Sequence, residues 1–346
     1  MSKIKEPRFF ENDRHLVEAV PNFSEGRRPD VIEAIRAAMH AVAGVRVLHV
    51  DPGYAAHRTV MTLVGPPRAV VTALLAGMKT CLQYVDMRHH NGEHPRLGAV
   101  DVCPIVPLAN TTLAQTVETA HYLAARAAED LHLPVYCYEA AATRPERRLL
   151  ARVRRGQYEG LPARLAAGDF PDYGPHEFQP DRGATILGAR PFLIAYNVNL
   201  NSTDATVAHQ IAQDVRESGR TVRTPDGGKQ RIPGSCPGLR AIGWYIEEYG
   251  RAQVSLNVTD LDQTPVHVAY EAVRAAAARR GVEVTGSELI GLAPQRVFLE
   301  AARFYAPETV LTPPAAIDLA VARLGLNDLA PFVPEDRVLE LRMERR

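Results

Sequence analysis

The feature that most limits what this chain can fold into is an order of elements that occurs twice. In the first half, residues 16–20 read as a short strand. Pro29 and Asp30 then open a helix, with Val31, Ile32, Ile35, Met39 and Val42 at helical spacing and Gly44 as a stop. Two β-branched runs, residues 45–50 and 57–64, are parted by "DPGYAA", a turn by composition. A helix over 67–84 and an apolar run over 100–108 follow, then a long amphipathic helix over 112–131 and the strand "PVYCYEA". In the second half the strand "PFLIAYNVNL" leads to a helix over 203–217. Strands "RAIGWYIEE" and "AQVSLNVTD", a helix over 264–280 and the strand "VEVTGSELI" complete it. Both halves spell β-α-β-β-α-β, the split-βαβ order. The expectation is an α+β protein of two ferredoxin-like subdomains with facing sheets. The irregular stretch "GDFPDYGPHEFQPDRG" precedes the division, set at residues 1–189 and 190–346. Residues 218–238 read as a polar loop.

Composition narrows the function. With 46% hydrophobic residues in 346, the chain can bury a sizeable core. Forty Lys and Arg balance forty Asp and Glu, which argues against a dedicated nucleic-acid binder. No segment approaches the roughly 18 apolar residues of a membrane span, and "MSKIKEPRFFENDRH" has no signal-peptide core, so a soluble, cytoplasmic protein is expected. The four cysteines form no C-x-x-C pair.

Polar chemistry is densest at residues 89–101, "HHNGEHPRLGAVD". His90 to His94 spells H-x-x-E-H, a zinc signature that works only when both histidines project from one helical face. Asn91-Gly92 is a turn dipeptide and Pro95 biases His94 away from the helix, so no metal site is expected. His89 and His90 read as histidines of a solvated loop. His94 is more restricted: Pro95 stiffens its backbone, and Glu93 or Asp101 can orient one ring nitrogen, which leaves the other as a general base. Asp51 ends an apolar strand at Pro52-Gly53. It either caps a turn or places a carboxylate at the mouth of a sheet. "VPNFSEGRRPD" runs from a strand into a helix N-terminus, where free N–H groups attract an anion, but it lacks the lysine and spacing of a phosphate loop. Tyr173 and Phe178 lie in a long loop that serves either as a platform for a flat ring or as a linker.

These pieces together resemble the glutamate formimidoyltransferase family. The markers run in order: "VEAVPNFSEGR", "DPG" with "RTVMTLVG", "HHNGEHPRLGAVDVCPIVPL", "PVYCYEAA", "YEGLP", "DYGP", "GATILGARPFLIAYNVNL", "AIGWYIEE", "AQVSLNVTD", "LIGLAP" and "RLGLNDLAPF". They span about Leu16 to Glu340. The resemblance implies two βαββαβ subdomains with a ligand tunnel between them and a homodimer. It also implies a monofunctional enzyme without the cyclodeaminase domain, any cyclodeaminase being a separate partner. His94 is implied as the catalytic base and Asp51 as its assistant. The folate-binding stretch is implied at Gly174, Pro175, His176, Glu177, Phe178, Gln179, Pro180, Asp181, Arg182 and Gly183. Three departures stand out: the residues before Leu16, the long segment "RTVRTPDGGKQRIPGSCPG", and Arg182 where the family pattern has tryptophan.

The implied reaction moves a formimino group from N-formimino-L-glutamate to N5 of tetrahydrofolate, giving 5-formiminotetrahydrofolate and L-glutamate in histidine degradation. Tetrahydrofolate is a co-substrate and no metal is needed. His94 passes a proton from N5 to the departing nitrogen, and Asp51 favours the charged amidinium. Arg58, Arg96 or Arg190 can guide the substrate carboxylates. Two alternatives stay open: a glutamate N-formyltransferase or 5-formyltetrahydrofolate-processing enzyme, and a non-catalytic folate-binding protein.

Overall fold

The computed structural model describes residues 5–54 and 56–345. Ala55, within the "DPGYAA" turn, and the first four residues of the N-terminal segment lie outside them. The chain divides into two compact units, Met1–Pro191 and Phe192–Arg346, each built around a sheet.

In the first unit, β1 (Val17–Ala19) and β2 (Asn22–Phe23) behave as one broken strand, since both pair antiparallel with β4 (Arg58–Gly65) and β5 (Val100–Pro107). Pro21, which has no N–H to donate, sits at the break. β3 (Arg46–Gly53) lies beyond β4, so the order is β3, β4, β1/β2, β5. That is the 2-3-1-4 order of the split-βαβ arrangement. The sheet then goes further than the sequence pattern suggests: β7 (Thr185–Ala189) pairs parallel to β5, and β6 (Val135–Glu139) pairs parallel to β7. β6 is the strand expected from "PVYCYEA", whereas β7 is a five-residue, fully buried run that alternation cannot flag because both of its faces are covered.

Helices α1 (Pro29–His40), α2 (Pro67–Tyr84) and α3 (Leu113–Leu131) contribute to one core, with Ile35, Met39, Leu74, Met78 and Leu123 buried among sheet residues such as Phe23, Met61 and Leu63. α3 starts on a capping box between Thr112 and Gln115. The segment before Leu16 docks on this core through Phe10, whose ring meets Tyr122 edge-on at 5.5 Å. A smaller cluster, Leu97, Val102, Tyr136, Tyr138, Val153, Leu161 and Ile186, joins the β5–β7–β6 strands to short helices α4 (Leu150–Val153) and α5 (Leu161–Ala166).

The second unit runs β8 (Ile194–Leu200), α6 (Ala205–Val215), then β9 (Arg220–Arg223) and β10 (Lys229–Ile232), β11 (Leu239–Ile246), β12 (Arg251–Val258), α7 (Val266–Ala278) and β13 (Val284–Ile290). Its four-stranded antiparallel sheet has the order β11-β12-β8-β13, again 2-3-1-4. Four further helices follow: α8 (Gln295–Tyr305), α9 (Pro313–Arg323), α10 (Pro334–Arg337) and α11 (Leu339–Glu344). The expected polar loop over 218–238 is corrected: β9 and β10 pair there as a separate two-stranded ribbon. Its residues are mostly exposed and alternate too weakly to read as strands. Among the described residues no helix is long and apolar enough to cross a membrane.

Candidate active site

The cross-strand register of the first unit fixes which side chains share a face. Val50 and Met61 pair and pack into the helical core, so their neighbours Asp51 and Val60 point the other way. Val60 is opposite Asn22, and Asn22 is opposite Val102. Asp51, Val60, Asn22 and Val102 therefore form one row across four strands. On this face Arg58 donates from Nε and Nη2 to Asn22 Oδ1 at 3.0 and 2.8 Å. Its Nη1 donates to Asp101 Oδ2.

Asp101 is fully buried at the register shift of β5, where the extra residue turns inward. Three donors hold it: Arg58, the Leu97 N–H at 2.8 Å, and Arg154 Nη2 at 2.7 Å. Burial alone would raise the Asp101 pKa. Arg58, Arg154 and the Leu97 hydrogen bond outweigh it and hold the carboxyl below its usual range.

His94 lies in the irregular loop that precedes β5. Its Nδ1–H donates to the Pro95 carbonyl at 2.8 Å, which leaves Nε2 with the free lone pair. Burial, and then the charges of Arg58 and Arg154, lower its pKa from 6.5 to about 4. The ring is therefore a neutral base across the physiological range. The orienting partner is the backbone, which corrects the expectation of Glu93 or Asp101: Asp101 is consumed by its arginines. Asp51 makes no hydrogen bond or ion pair with His94 among the described residues. Asp51 lies two strands from Asn22, roughly 10 Å by strand spacing.

Two glycines explain how so polar a loop can be held. A Cβ on Gly92 would meet the Ala56 carbonyl oxygen at 2.4 Å, and one on Gly98 would meet the Arg182 and Ala184 carbonyl oxygens at 2.5 Å. The loop is thus pinned against the β3–β4 turn at one end and against residues 182–184 at the other. There Ala99 N–H donates to Arg182 O at 2.9 Å and Ala184 N–H to Leu97 O at 3.2 Å. Arg96 closes the loop from inside, donating to His90 Nδ1 at 3.2 Å and His90 O at 3.2 Å, and to Glu159 at 2.6 and 2.9 Å. His90 stacks on His57 with ring centroids 4.3 Å apart, and its Nε2–H donates to His57 O at 2.9 Å. Both ring nitrogens of His90 are engaged, and His90 and His94 share no helix. Among the described residues no three His, Cys, Asp or Glu side chains are placed to hold a metal ion.

The stretch Gly174–Gly183 is tied to this loop. Gly98 and Gly183 form an antiparallel bridge, Met87 N–H donates to Asp181 O at 2.8 Å, and Tyr158 OH donates to Pro180 O at 2.6 Å. Phe178 packs on Tyr158 at 5.5 Å and His176 stacks on Phe170 at 4.5 Å. Arg182 reaches the end of α3, donating to Leu131 O at 2.9 Å, where a cation complements the helix C-terminus. Tyr173 bonds His121 at 3.1 Å through its hydroxyl. The segment is anchored rather than a free linker.

Glu25 fixes the approach to α1 rather than its helical N–H groups: Oε1 accepts the Arg27 and Arg28 N–H groups at 2.9 and 3.0 Å, just before the helix, and Oε2 accepts Arg28 Nε at 2.6 Å. Of the arginines expected to guide the substrate carboxylates, Arg58 and Arg96 bond inside the fold, and Arg190 gives one N–H to Pro191 O at 3.0 Å. The residue that sequence reading missed is Arg154. Its only signal was the run "RVRRG", and nothing in that run says which arginine turns inward.

Residues 16–190 match the family described as Formiminotransferase domain, N-terminal subdomain, and residues 195–344 match Formiminotransferase domain. The chain is 39% identical over 291 residues to the Glutamate formimidoyltransferase of Streptococcus pyogenes serotype M1, covering 84% of this chain and 93% of that one. It is 40% identical over 293 residues to the protein of the same name from Thermoplasma acidophilum, covering 84% and 92%. Against the Formimidoyltransferase-cyclodeaminase of Gallus gallus it is 45% identical over 329 residues, 94% of this chain. It spans only 59% of the length of that relative.

Proposed function

The chain belongs to the formiminotransferase family, and from that premise we propose that it transfers the formimino group of N-formimino-L-glutamate to N5 of tetrahydrofolate. The observation that carries the reading is His94. A neutral imidazole with Nδ1–H fixed on a carbonyl and Nε2 free, beside two guanidinia, suits a reaction that moves one proton between two nitrogens of an anionic substrate pair. Tetrahydrofolate supplies N5 as the nucleophile. His94 Nε2 accepts the proton that N5 loses and returns it to the departing glutamate nitrogen. Its low pKa makes the protonated form a strong acid for that second step. Asp51, on the sheet face that carries Arg58 and Asn22, stabilises the positive amidinium by charge. Gly174–Gly183, with Phe178 against Tyr158, contributes to holding the folate.

The reading extends to L-glutamate and 5-formiminotetrahydrofolate as products in histidine degradation, and to a cytoplasmic homodimer. A cyclodeaminase would be the partner that consumes the folate product. The test is spectrophotometric: enzyme, tetrahydrofolate and N-formimino-L-glutamate are mixed and 5-formiminotetrahydrofolate is followed, with N-formyl-L-glutamate as a parallel donor. Formation from the formimino donor at a higher kcat/KM supports the proposal. No product, or a preference for the formyl donor, overturns it.

A further inference from the structure

The buried cluster beside His94 is electrically incomplete. Arg58 and Arg154 each pair with a carboxylate, but it is the same one, Asp101 Oδ2. Among the described residues neither arginine has a second acidic partner, so two guanidinia and one carboxylate leave one positive charge. These side chains are only 9% and 12% exposed, and Asp101 is 0% exposed. An uncompensated charge at such depth is costly, and an anion is its natural complement.

Donor bookkeeping says which arginine is available. Arg58 uses Nε, Nη1 and Nη2 on Asn22 and Asp101. Arg154 uses Nη2 alone, and its Nε–H is buried without an acceptor among the described residues. A guanidinium offers five N–H groups in a rigid fork matched to carboxylates. Its backbone is held: Arg154 follows α4 directly, its N–H donates to Leu150 O at 2.9 Å, and Arg164 Nη1 donates to the preceding carbonyl of Val153 at 2.6 Å.

We propose that Arg154 is a substrate-binding residue, its free guanidinium edge taking a carboxylate of the glutamate moiety of the donor beside His94. The charge and place of the anion rest on geometry, and its identity rests on the proposed transferase function. The folate tail also carries carboxylates, so the test must separate the two sources.

L-Glutamate is titrated calorimetrically into the wild-type full chain, R154M and R154K, with circular dichroism confirming each fold. In parallel, KM is measured for N-formimino-L-glutamate, and turnover is compared between tetrahydrofolate and tetrahydropteroate, which lacks the glutamate tail. The expected result is binding of L-glutamate that weakens at least tenfold in R154M and partly recovers in R154K. The donor KM rises at least tenfold, and the preference between the two pterins is unchanged. Should R154M fail to fold, R154K carries the decision, because a lysine keeps the charge but loses the fork, and a several-fold weakening is expected. Equal L-glutamate affinity in wild type and variants overturns the proposal, as does absence of binding to the wild type. A variant that loses only its preference for tetrahydrofolate over tetrahydropteroate assigns Arg154 to the folate tail and overturns it too. If wild type shows no formimino transfer, the functional reading fails, while the L-glutamate titration still decides on Arg154.

Discussion

Two sheets of the same strand order carry opposite kinds of polar face. In the first unit the side away from α1 and α2 holds Asp51, Arg58, Asn22 and, at the β5 register shift, Asp101, with Arg154 drawn in from α4. In the second unit the corresponding rows hold the amides Asn197, Asn199 and Gln253, with Glu288 opposite Asn197. Trp244 Nε1–H donates to Gln253 at 2.9 Å, Gln253 to Asn199 at 2.9 Å, and Asn199 to Asp328 at 2.9 Å, while Asn197 donates to Glu288 at 3.2 Å. Cross-strand register makes that chain: Trp244, Gln253 and Asn199 are direct neighbours on β11, β12 and β8. The second face hands each donor to an acceptor and ends on Asp328, which Arg251 also meets at 3.0 Å. The first leaves a lone pair on His94 and an N–H on Arg154 unused. Topology alone does not make a reactive surface; unspent donors and acceptors do.

The sharpest way to break this contrast is at Asp101. Asp101→Asn removes the carboxylate between two buried guanidinia, and about 3–5 kcal/mol of stability should go with it. Denaturant unfolding followed by far-ultraviolet circular dichroism measures the loss. A change under about 1 kcal/mol would mean that water already solvates the cluster.

Next in size is His94→Ala. Removing the base should lower kcat by ~10²-fold or more with little change in folate affinity. Near-normal turnover would move the proton chemistry elsewhere.

Asp51→Asn keeps shape and removes charge. Turnover of the formimino donor should fall roughly ten- to a hundredfold, about 1.5–3 kcal/mol of lost charge-assisted interaction. The neutral formyl donor should suffer less, and equal losses would leave Asp51 only a positioning role.

The smallest effect is expected in the second unit. Gln253→Leu strips the partners of Trp244 and Asn199, which should cost about 1–3 kcal/mol of stability with kcat barely changed. A kcat loss as large as that of His94→Ala would make the amide face part of the chemistry and erase the distinction.

Much of this was legible in the sequence because it is local. The β-branched run over residues 57–64, the helical spacing of Val31, Ile35 and Met39, and the Pro95 that keeps His94 off a helix all act within a few residues. The parallel strand β7 was harder, because a fully buried strand carries no alternation. The β9–β10 ribbon was hidden by its exposed, polar composition. The charged cluster was out of reach for another reason. Asp101 meets Arg58 and Arg154 across 43 and 53 residues, and a local pattern encodes nothing about such a pairing.

The central claim is that the fold holds His94 neutral, with Nδ1 protonated and Nε2 free. Nitrogen-15 histidine spectra of the full chain between pH 3.5 and 8, with His94→Asn for assignment, test it directly. Burial and the two arginines depress the folded pKa below the unfolded 6.5, so between 6.5 and about 4 the unfolded chain binds more protons. The stability linked to His94 should then be present above pH 6.5 and be lost as the pH falls towards 4. The predicted spectrum is an Nδ1–H tautomer that titrates near 4. A midpoint near 6.5, or an Nε2–H tautomer, would contradict the account.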